Sequence, residues 1–264
     1  MKALLIDSTR CVGCRGCQVA CKAWNNLPVE QTEFFAGSGY QNPRDLSATT
    51  WTLIAYNEVE VRGRFNWVFA KRQCFHCLDP ACASACLVGA LKKTPEGPVN
   101  YDPGKCLGCR YCQLACPFLI PRFEWSKAIP EITKCTLCAD RVTAGLEPAC
   151  SKACPTDAIE FGEREELIAE AENRIRMNPL TYIHHIYGKE EAGGTCVLHI
   201  ADVPFEKLGF KTDVPLQSPH AFSKPAMTAI PFVLTGLGIG LGAVSWVVNR
   251  RMNNQEQSSG EGQP

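Results

Sequence analysis

Cysteine spacing carries the clearest chemistry in this chain. Cys106, Cys109, Cys112 and Cys116 follow a C-x2-C-x2-C-x3-C-P pattern, the spacing of a four-cysteine site for a cubane iron–sulfur cluster. Three thiolates two residues apart can wrap three irons of one cube within a tight loop, whose backbone N–H groups then turn toward sulfur. The fourth cysteine is carried away by the next helical turn. In two-cluster proteins that fourth cysteine ligates the neighbouring cluster, so the pattern predicts a partner motif.

Related four-cysteine motifs occur three more times, two of them with a longer gap before the third cysteine, and sixteen of the 17 cysteines fall into four groups of four. Motif I is Cys11, Cys14, Cys17 and Cys21; motif II is Cys74, Cys77, Cys82 and Cys86; motif III is the stretch above; motif IV is Cys135, Cys138, Cys150 and Cys154. DSTRCVGCRGCQVAC in motif I matches DPGKCLGCRYCQLAC 95 residues later, and LDPACASAC in motif II resembles LEPACSKAC in motif IV. The chain is a duplicated unit, I–II then III–IV. Four 4Fe–4S clusters are the expected cofactors. Spacing leaves two pairings open, I with II and III with IV, or I with IV and II with III. An insertion of 52 residues between I and II weakens the first.

Two rival uses of the cysteines fit less well. A disulfide framework suits a short secreted chain, whereas this one has 264 residues and no secretory leader reads from its N-terminus. Structural zinc takes two separated pairs of ligands and has no use for a third cysteine two residues on. The formal net charge of +0 gives no basic field for nucleic acid. No phosphate-binding glycine loop or nucleophile–base set is recognisable, so the chain is expected to carry electrons and to leave substrate chemistry to a partner.

The elements that must position these cysteines follow from the remaining residues. Residues 3–6 (ALLI) read as a first strand leading into motif I. In the insertion, WTLIAYNEVEV and FNWVFAKR flank a glycine-containing turn and read as a hairpin covering the cluster core. Leu167, Ile168, Ala171 and Ile175 stand at helical spacing before Asn178-Pro179, predicting a surface helix. Residues 180–222 lack long periodic runs and are expected to drape over the body or a partner. His76, inside CFHC, is expected to lie beside a cluster or at the surface, and His184, His185 and His199 to be structural. Cys196, the seventeenth cysteine, lies in the apolar run TCVLHI and should pack as a small hydrophobe. Basic residues crowd the motifs: Arg10, Arg15, Lys22, Lys71, Arg72, Lys105, Arg110 and Lys134. About half are expected to act on a cluster, because nearby cations favour its reduced, more anionic form.

Residues 226–248 contain no charge. As a helix rising 1.5 Å per residue they would span about 35 Å, enough for a bilayer core. Gly236, Gly238, Gly240 and Gly242 give G-x-x-x-G spacings that admit a close neighbour helix. Trp246, Arg250 and Arg251 mark one interface, and the positive-inside rule puts the short tail in the cytoplasm and the cluster body on the extracytoplasmic face.

The whole chain resembles the iron–sulfur (beta) subunit of membrane-bound respiratory formate dehydrogenases, within the wider family of four-cluster subunits that serve molybdopterin oxidoreductases and some hydrogenases. The resemblance rests on the cysteine motifs together with CQVACKAWN, NPRDLSATTW, CPFLIPRFE, KCTLCADRV, GLEPAC, AGGT and the apolar C-terminal helix. It implies that motif I pairs with IV and II with III. The cluster ligands would then be Cys11, Cys14, Cys17 with Cys154; Cys135, Cys138, Cys150 with Cys21; Cys74, Cys77, Cys82 with Cys116; and Cys106, Cys109, Cys112 with Cys86. The fold class that follows is α+β: two ferredoxin-like bis-cluster modules with an inserted β-hairpin, and one C-terminal transmembrane helix. Its modules would be 1–73 with 130–165 (insertion 22–73) and 74–129, followed by a helix and partner-contacting segment at 166–222, an anchor at 223–250 and a polar tail at 251–264. The implied partners are a molybdopterin (Mo or W) catalytic subunit, a membrane cytochrome b or quinone-reactive subunit, and membrane lipid. The alternatives are the same relay in a hydrogenase or another molybdopterin enzyme and, more remotely, a zinc-dependent structural module.

Overall fold

The computed structural model describes residues 1–33, 40–61, 63–125 and 131–260. It divides into two units, Met1–His220 and Ala221–Pro264. In the first, strand β1 (Lys2–Asp7) is the middle of a three-stranded sheet. It runs antiparallel to β8 (Ile159–Glu163), with Leu4 opposite Phe161, and parallel to β9 (Val197–Ile200), with Leu5 opposite Leu198. Ala3, Leu4 and Leu5 have no exposed surface, as suits a strand covered on both faces.

One of those covers is helix α6 (Arg164–Met177). Leu167, Ile168, Ala171 and Ile175, the four residues at helical spacing, are buried against Ala3, Leu5, Cys196, Leu198 and Ile200. Arg174 on the same helix reaches back to Glu160 on β8 at 2.5 Å and to the buried carboxylate of Asp7 at 3.4 Å. The helix ends at Asn178, before Pro179.

The remaining elements are short. Helix α1 (Gly16–Trp24) follows the motif I loop, and β2 (Leu53–Val61) pairs antiparallel with β3 (Arg64–Arg72). Helix α2 (Ala81–Ser84) lies in motif II and leads to the β4 (Leu91–Lys93) and β5 (Val99–Tyr101) ribbon. Helix α3 (Tyr111–Ala115) lies in motif III, and β6 (Arg122–Phe123) pairs with β7 (Ile132–Thr133). Helices α4 (Ala139–Thr143) and α5 (Ala149–Lys152) lie in motif IV. Arg62 of the expected RGR turn and the 129/130 boundary expected between modules lie outside the described residues.

Residues 180–222 differ from a draped segment. Within them β9 is fully buried and hydrogen-bonds β1, while Val203, Phe205 and Leu208 sit in the same core as the motif II, III and IV cysteines. The apolar run TCVLHI reads as strand-like, and it is the pairing of this strand with β1 that no local pattern indicates.

The second unit contains most of helix α7 (Pro219–Gly260). Its stretch Thr228–Asn253, of 26 residues with mean hydropathy 1.8, is long and apolar enough to cross a membrane. Pro231 lies inside the helix, and Thr235 Oγ1 donates to its carbonyl at 2.7 Å. Among the described residues, and apart from the helix's own neighbouring backbone, nothing lies within 4 Å of where a Cβ would stand on Gly236, Gly238, Gly240 or Gly242.

Because Leu198 joins β9 to α6, Leu198→Ala should cost about 2–5 kcal/mol. The anaerobic thermal-unfolding midpoint of the holoprotein would read this as a clear decrease.

Candidate iron–sulfur centres

All four cysteine loops use the same backbone device. The residue before the second cysteine is left-handed in each motif: Gly13 (φ 68), His76 (φ 49), Gly108 (φ 68) and Leu137 (φ 55). This turn curls the chain so that the Gly108 N–H donates to Cys106 Sγ at 3.4 Å and the Leu137 N–H to Cys135 Sγ at 3.3 Å. Inward-pointing N–H groups of this kind make a cradle for an anion. At Gly13 glycine is needed twice over, since an added Cβ would also stand 2.8 Å from the Phe69 ring.

Helix packing then decides which motifs meet. Helix α1, bearing Cys17 and Cys21, lies against α5, bearing Cys150, and α2, bearing Cys82, lies against α3, bearing Cys112. Cys11, Cys14, Cys17 and Cys154 line one cavity, and Cys21, Cys135, Cys138 and Cys150 line another. In the other half, the thiols of Cys77 and Cys82 feel those of Cys74 and Cys116, and Cys112 feels Cys109, Cys106 and Cys86. Cys135 also feels Cys74, so the two halves meet there. Cys14 and Cys109 alone among the cysteines are exposed.

The electrostatics suit a cationic guest. Burial pushes the thiols of Cys17 and Cys21 up to about 12 despite Lys71 nearby, and burial pushes Cys82 and Cys112 equally high. Such thiols ionise only against strong positive charge, which bound iron provides. Lys71 itself is 1% exposed. Burial alone would lower its pKa, but Cys150, Cys17, Cys135 and Cys21 around it outweigh that and hold it above its ordinary value.

One cavity also contains an orphaned donor. Gln73, 2% exposed, lines the cavity of Cys21, Cys135, Cys138 and Cys150, and its Nε2 has no partner. Asn25, in the same lining, directs Nδ2 toward Cys21 Sγ at 3.7 Å. Amide N–H groups beside four thiols are what a sulfur-rich anion requires, so the lining fits a 4Fe–4S cluster. Nothing marks Gln73 or Asn25 in the sequence beyond their nearness to Cys74 and Cys21.

The other residues singled out by sequence have varied settings. Of the eight basic residues, Lys71 and Lys134 are buried; Lys134 donates to the carbonyls of Val99 and Cys135. Arg10 pairs with Glu160, Arg72 with Asp45 and Lys105 with Asp102, while Lys22 donates to the carbonyls of Pro28 and Thr49. Arg15 stacks on Tyr56 at 4.7 Å and Arg110 on Trp125 at 4.2 Å. His76 is wholly buried, its Nδ1 accepting the Val99 N–H at 2.8 Å. His199 is packed between Phe75 and Phe210, and burial pulls its pKa down to about 3. His185 meets Glu191 at 2.7 Å and His184 lines a surface cleft. Cys196 is fully buried, with Lys93 Nζ 3.2 Å from its sulfur.

Comparison with known proteins bears on this arrangement. Two families described as 4Fe-4S dicluster domains match residues 10–90 and 65–164. The nitrate-inducible formate dehydrogenase iron-sulfur subunit of Escherichia coli (strain K12) is 38% identical over 98% of this chain and 90% of its own length. The chain belongs to the family of formate dehydrogenase iron–sulfur subunits. Within that family, the formate dehydrogenase-O iron-sulfur subunit of the same organism is 43% identical over 76% of this chain and 68% of the relative. The Hydrogenase-2 operon protein HybA of Escherichia coli O157:H7 is 37% identical over 78% and 71%. A longer protein of Nitratidesulfovibrio vulgaris is 42% identical, and the chain spans 62% of its length. Like these subunits, the chain is an electron-transfer protein carrying four 4Fe–4S clusters in two dicluster domains.

The crowding at Gly13 gives a direct test. Gly13→Ala is expected to remove the motif I cluster, lowering iron by about 4 per chain. Adding Phe69→Ala should recover part of it, whereas Gly145→Ala, where φ is also positive but no atom lies within 4 Å, should leave iron unchanged.

Proposed function

We propose that this chain is the electron wire of a membrane-bound formate dehydrogenase, taking electrons from a molybdopterin (Mo or W) catalytic subunit and passing them to a membrane cytochrome b or quinone-reactive subunit. The observation that carries this reading is the succession of sulfur sets. Cys106, Cys109, Cys112 and Cys86 would hold one cluster; Cys74, Cys77, Cys82 and Cys116 the next; Cys135, Cys138, Cys150 and Cys21 the third; Cys11, Cys14, Cys17 and Cys154 the last. The electrostatic influence of Cys74 on Cys135 links the middle pair, and the exposed Cys109 and Cys14 lie in the two end sets. When bound, each cluster accepts and returns one electron. The thiolates anchor it, the left-handed turns aim N–H groups at its sulfurs, and Lys71 and Lys134 offset its negative charge. The modules are then 1–73 with 130–165, and 74–129, with the strand pair β2–β3 inserted in the first.

Helix α7 is the anchor in this reading. Trp246, with Arg250 5.3 Å from its ring, marks one interface, and the paired arginines place the tail on the cytoplasmic side. The cluster body then faces the periplasm. A second reading, the same wire in a hydrogenase, draws support from the similarity to HybA. Electron delivery from formate or from hydrogen by the co-purified complex separates the two.

Three outcomes test the proposal. Anaerobically purified protein should hold about 16 iron and 16 labile sulfide. Cys21→Ala should disturb the cluster of Cys135, Cys138 and Cys150, and should block acceptor reduction while formate oxidation with an artificial dye persists; EPR damage at the motif II cluster instead would refute the pairing. Removal of residues 224–264 should release the protein from membranes with its clusters intact, because the apolar helix lies outside every cysteine motif.

A further inference from the structure

We infer that Gln73 sets the reduction potential of the cluster at the junction of the two modules. Its carboxamide is held in one orientation. Lys71 Nζ donates to Gln73 Oε1 and, at 2.6 Å, to Thr52 Oγ1, while the Thr52 hydroxyl donates to the same Gln73 oxygen at 3.4 Å. An ammonium offers donors only, so the atom facing Lys71 is the amide oxygen. The NH2 group therefore points away from Lys71, is buried, and meets no acceptor among the described residues.

A buried, unpaired amide N–H costs about 1–3 kcal/mol. Gln73 lines the cavity of Cys21, Cys135, Cys138 and Cys150 and, on another side, a largely aromatic cleft with Phe75, Phe118 and Phe210; of the two, only the first offers sulfur, and cluster or cysteine sulfur is the acceptor assigned to the NH2 group. The neighbouring cavity differs. Around Cys11, Cys14, Cys17 and Cys154 the lining is Ile6, Val12, Ile54, Phe69 and Ile159, with Lys71, Arg15 and Thr156 the polar members. The charge of Lys71 acts on cysteines of both sets, and the Cys11 cavity has the Thr156 hydroxyl 3.8 Å from Cys154 Sγ, whereas carboxamide N–H groups, those of Gln73 and Asn25, line only the Cys21 cavity. Hydrogen bonds to sulfur stabilise the more anionic reduced state and raise its potential. The junction cluster is thus the more easily reduced of the pair, and Gln73, one residue before Cys74, lies where electrons cross between modules.

This inference rests on the assignment of Cys21, Cys135, Cys138 and Cys150 to one cluster, and the Cys21→Ala variant identifies that cluster's EPR signal. The test is an EPR-monitored redox titration of the anaerobic holoprotein beside Gln73→Met, which removes the donor at similar size, and Gln73→Glu, which keeps an oxygen for Lys71 but replaces the NH2. Both variants should retain about 16 iron. In Gln73→Met the reduced-to-oxidised ratio of the identified cluster at fixed potential should fall about tenfold, or 59 mV for one electron, and further in Gln73→Glu. Unchanged potentials with full iron, or a shift confined to another cluster, would overturn the inference. Iron well below that content in the unsubstituted protein would instead defeat the cluster assignment. Should a variant lose iron, pulsed EPR of the unsubstituted holoprotein with 15N in its glutamine side-chain amides decides. A 15N coupling on the identified cluster is expected, and its absence overturns the inference.

Discussion

A buried ammonium without a carboxylate is the constraint on which the cluster-binding body depends. Lys71 is almost wholly excluded from water, and among the described residues no Asp or Glu lies within ion-pair distance of it. An isolated buried charge costs several kcal/mol even after relaxation. Its surroundings are the thiols of Cys150, Cys17, Cys135 and Cys21, of which Cys17, Cys135 and Cys21 are driven by burial toward the neutral form. Each side of this arrangement is unfavourable alone and compensates the other once the sulfurs carry negative charge. Cluster binding and folding of this region are coupled for that reason.

Strand β3 holds that ammonium in place. It pairs with β2 from Leu53 opposite Arg72 to Val61 opposite Arg64, and the same ribbon supplies the Phe69 ring that crowds Gly13 and the Tyr56 ring under Arg15. Arg15 and Arg110 occupy equivalent places in the repeat, both left-handed and both just before a helix. Motif I rests its arginine on Tyr56 of the ribbon, whereas motif III rests its arginine on Trp125 and Phe123. The duplicated loops have thus been buttressed by unrelated pieces of chain.

This explains what the sequence makes legible. Cysteine spacing is a local code, because each loop must wrap one cube, and it reveals the four motifs without knowledge of the fold. The apolar stripe of α6 and the charge-free C-terminal run are local too. The place of β9 is not local: four residues gain their meaning from lying beside β1, nearly two hundred residues earlier. The burial of Lys71, the orientation of Gln73 and the seclusion of His76 depend likewise on non-local packing. Nothing in KRQCFHC distinguishes a lysine that faces solvent from one enclosed by cysteines of two other motifs.

The two buried lysines also show why the halves form one body. Lys71 lies on the strand entering motif II, yet its charge faces Cys17, Cys21, Cys135 and Cys150 of motifs I and IV. Lys134 immediately precedes motif IV, yet its ammonium reaches the Val99 carbonyl in the other half and acts on Cys82 and His76 of motif II. Both lysines fall in the proposed module of motifs I and IV: Lys71 faces that module's own sulfurs, whereas Lys134 is lent to the other. Parting the modules would take the Lys134 charge away from Cys82 and the Val99 carbonyl away from Lys134. Lys134 thus ties the modules by charge as α1–α5 and α2–α3 tie the motifs by packing, consistent with Met1–His220 forming a single compact unit.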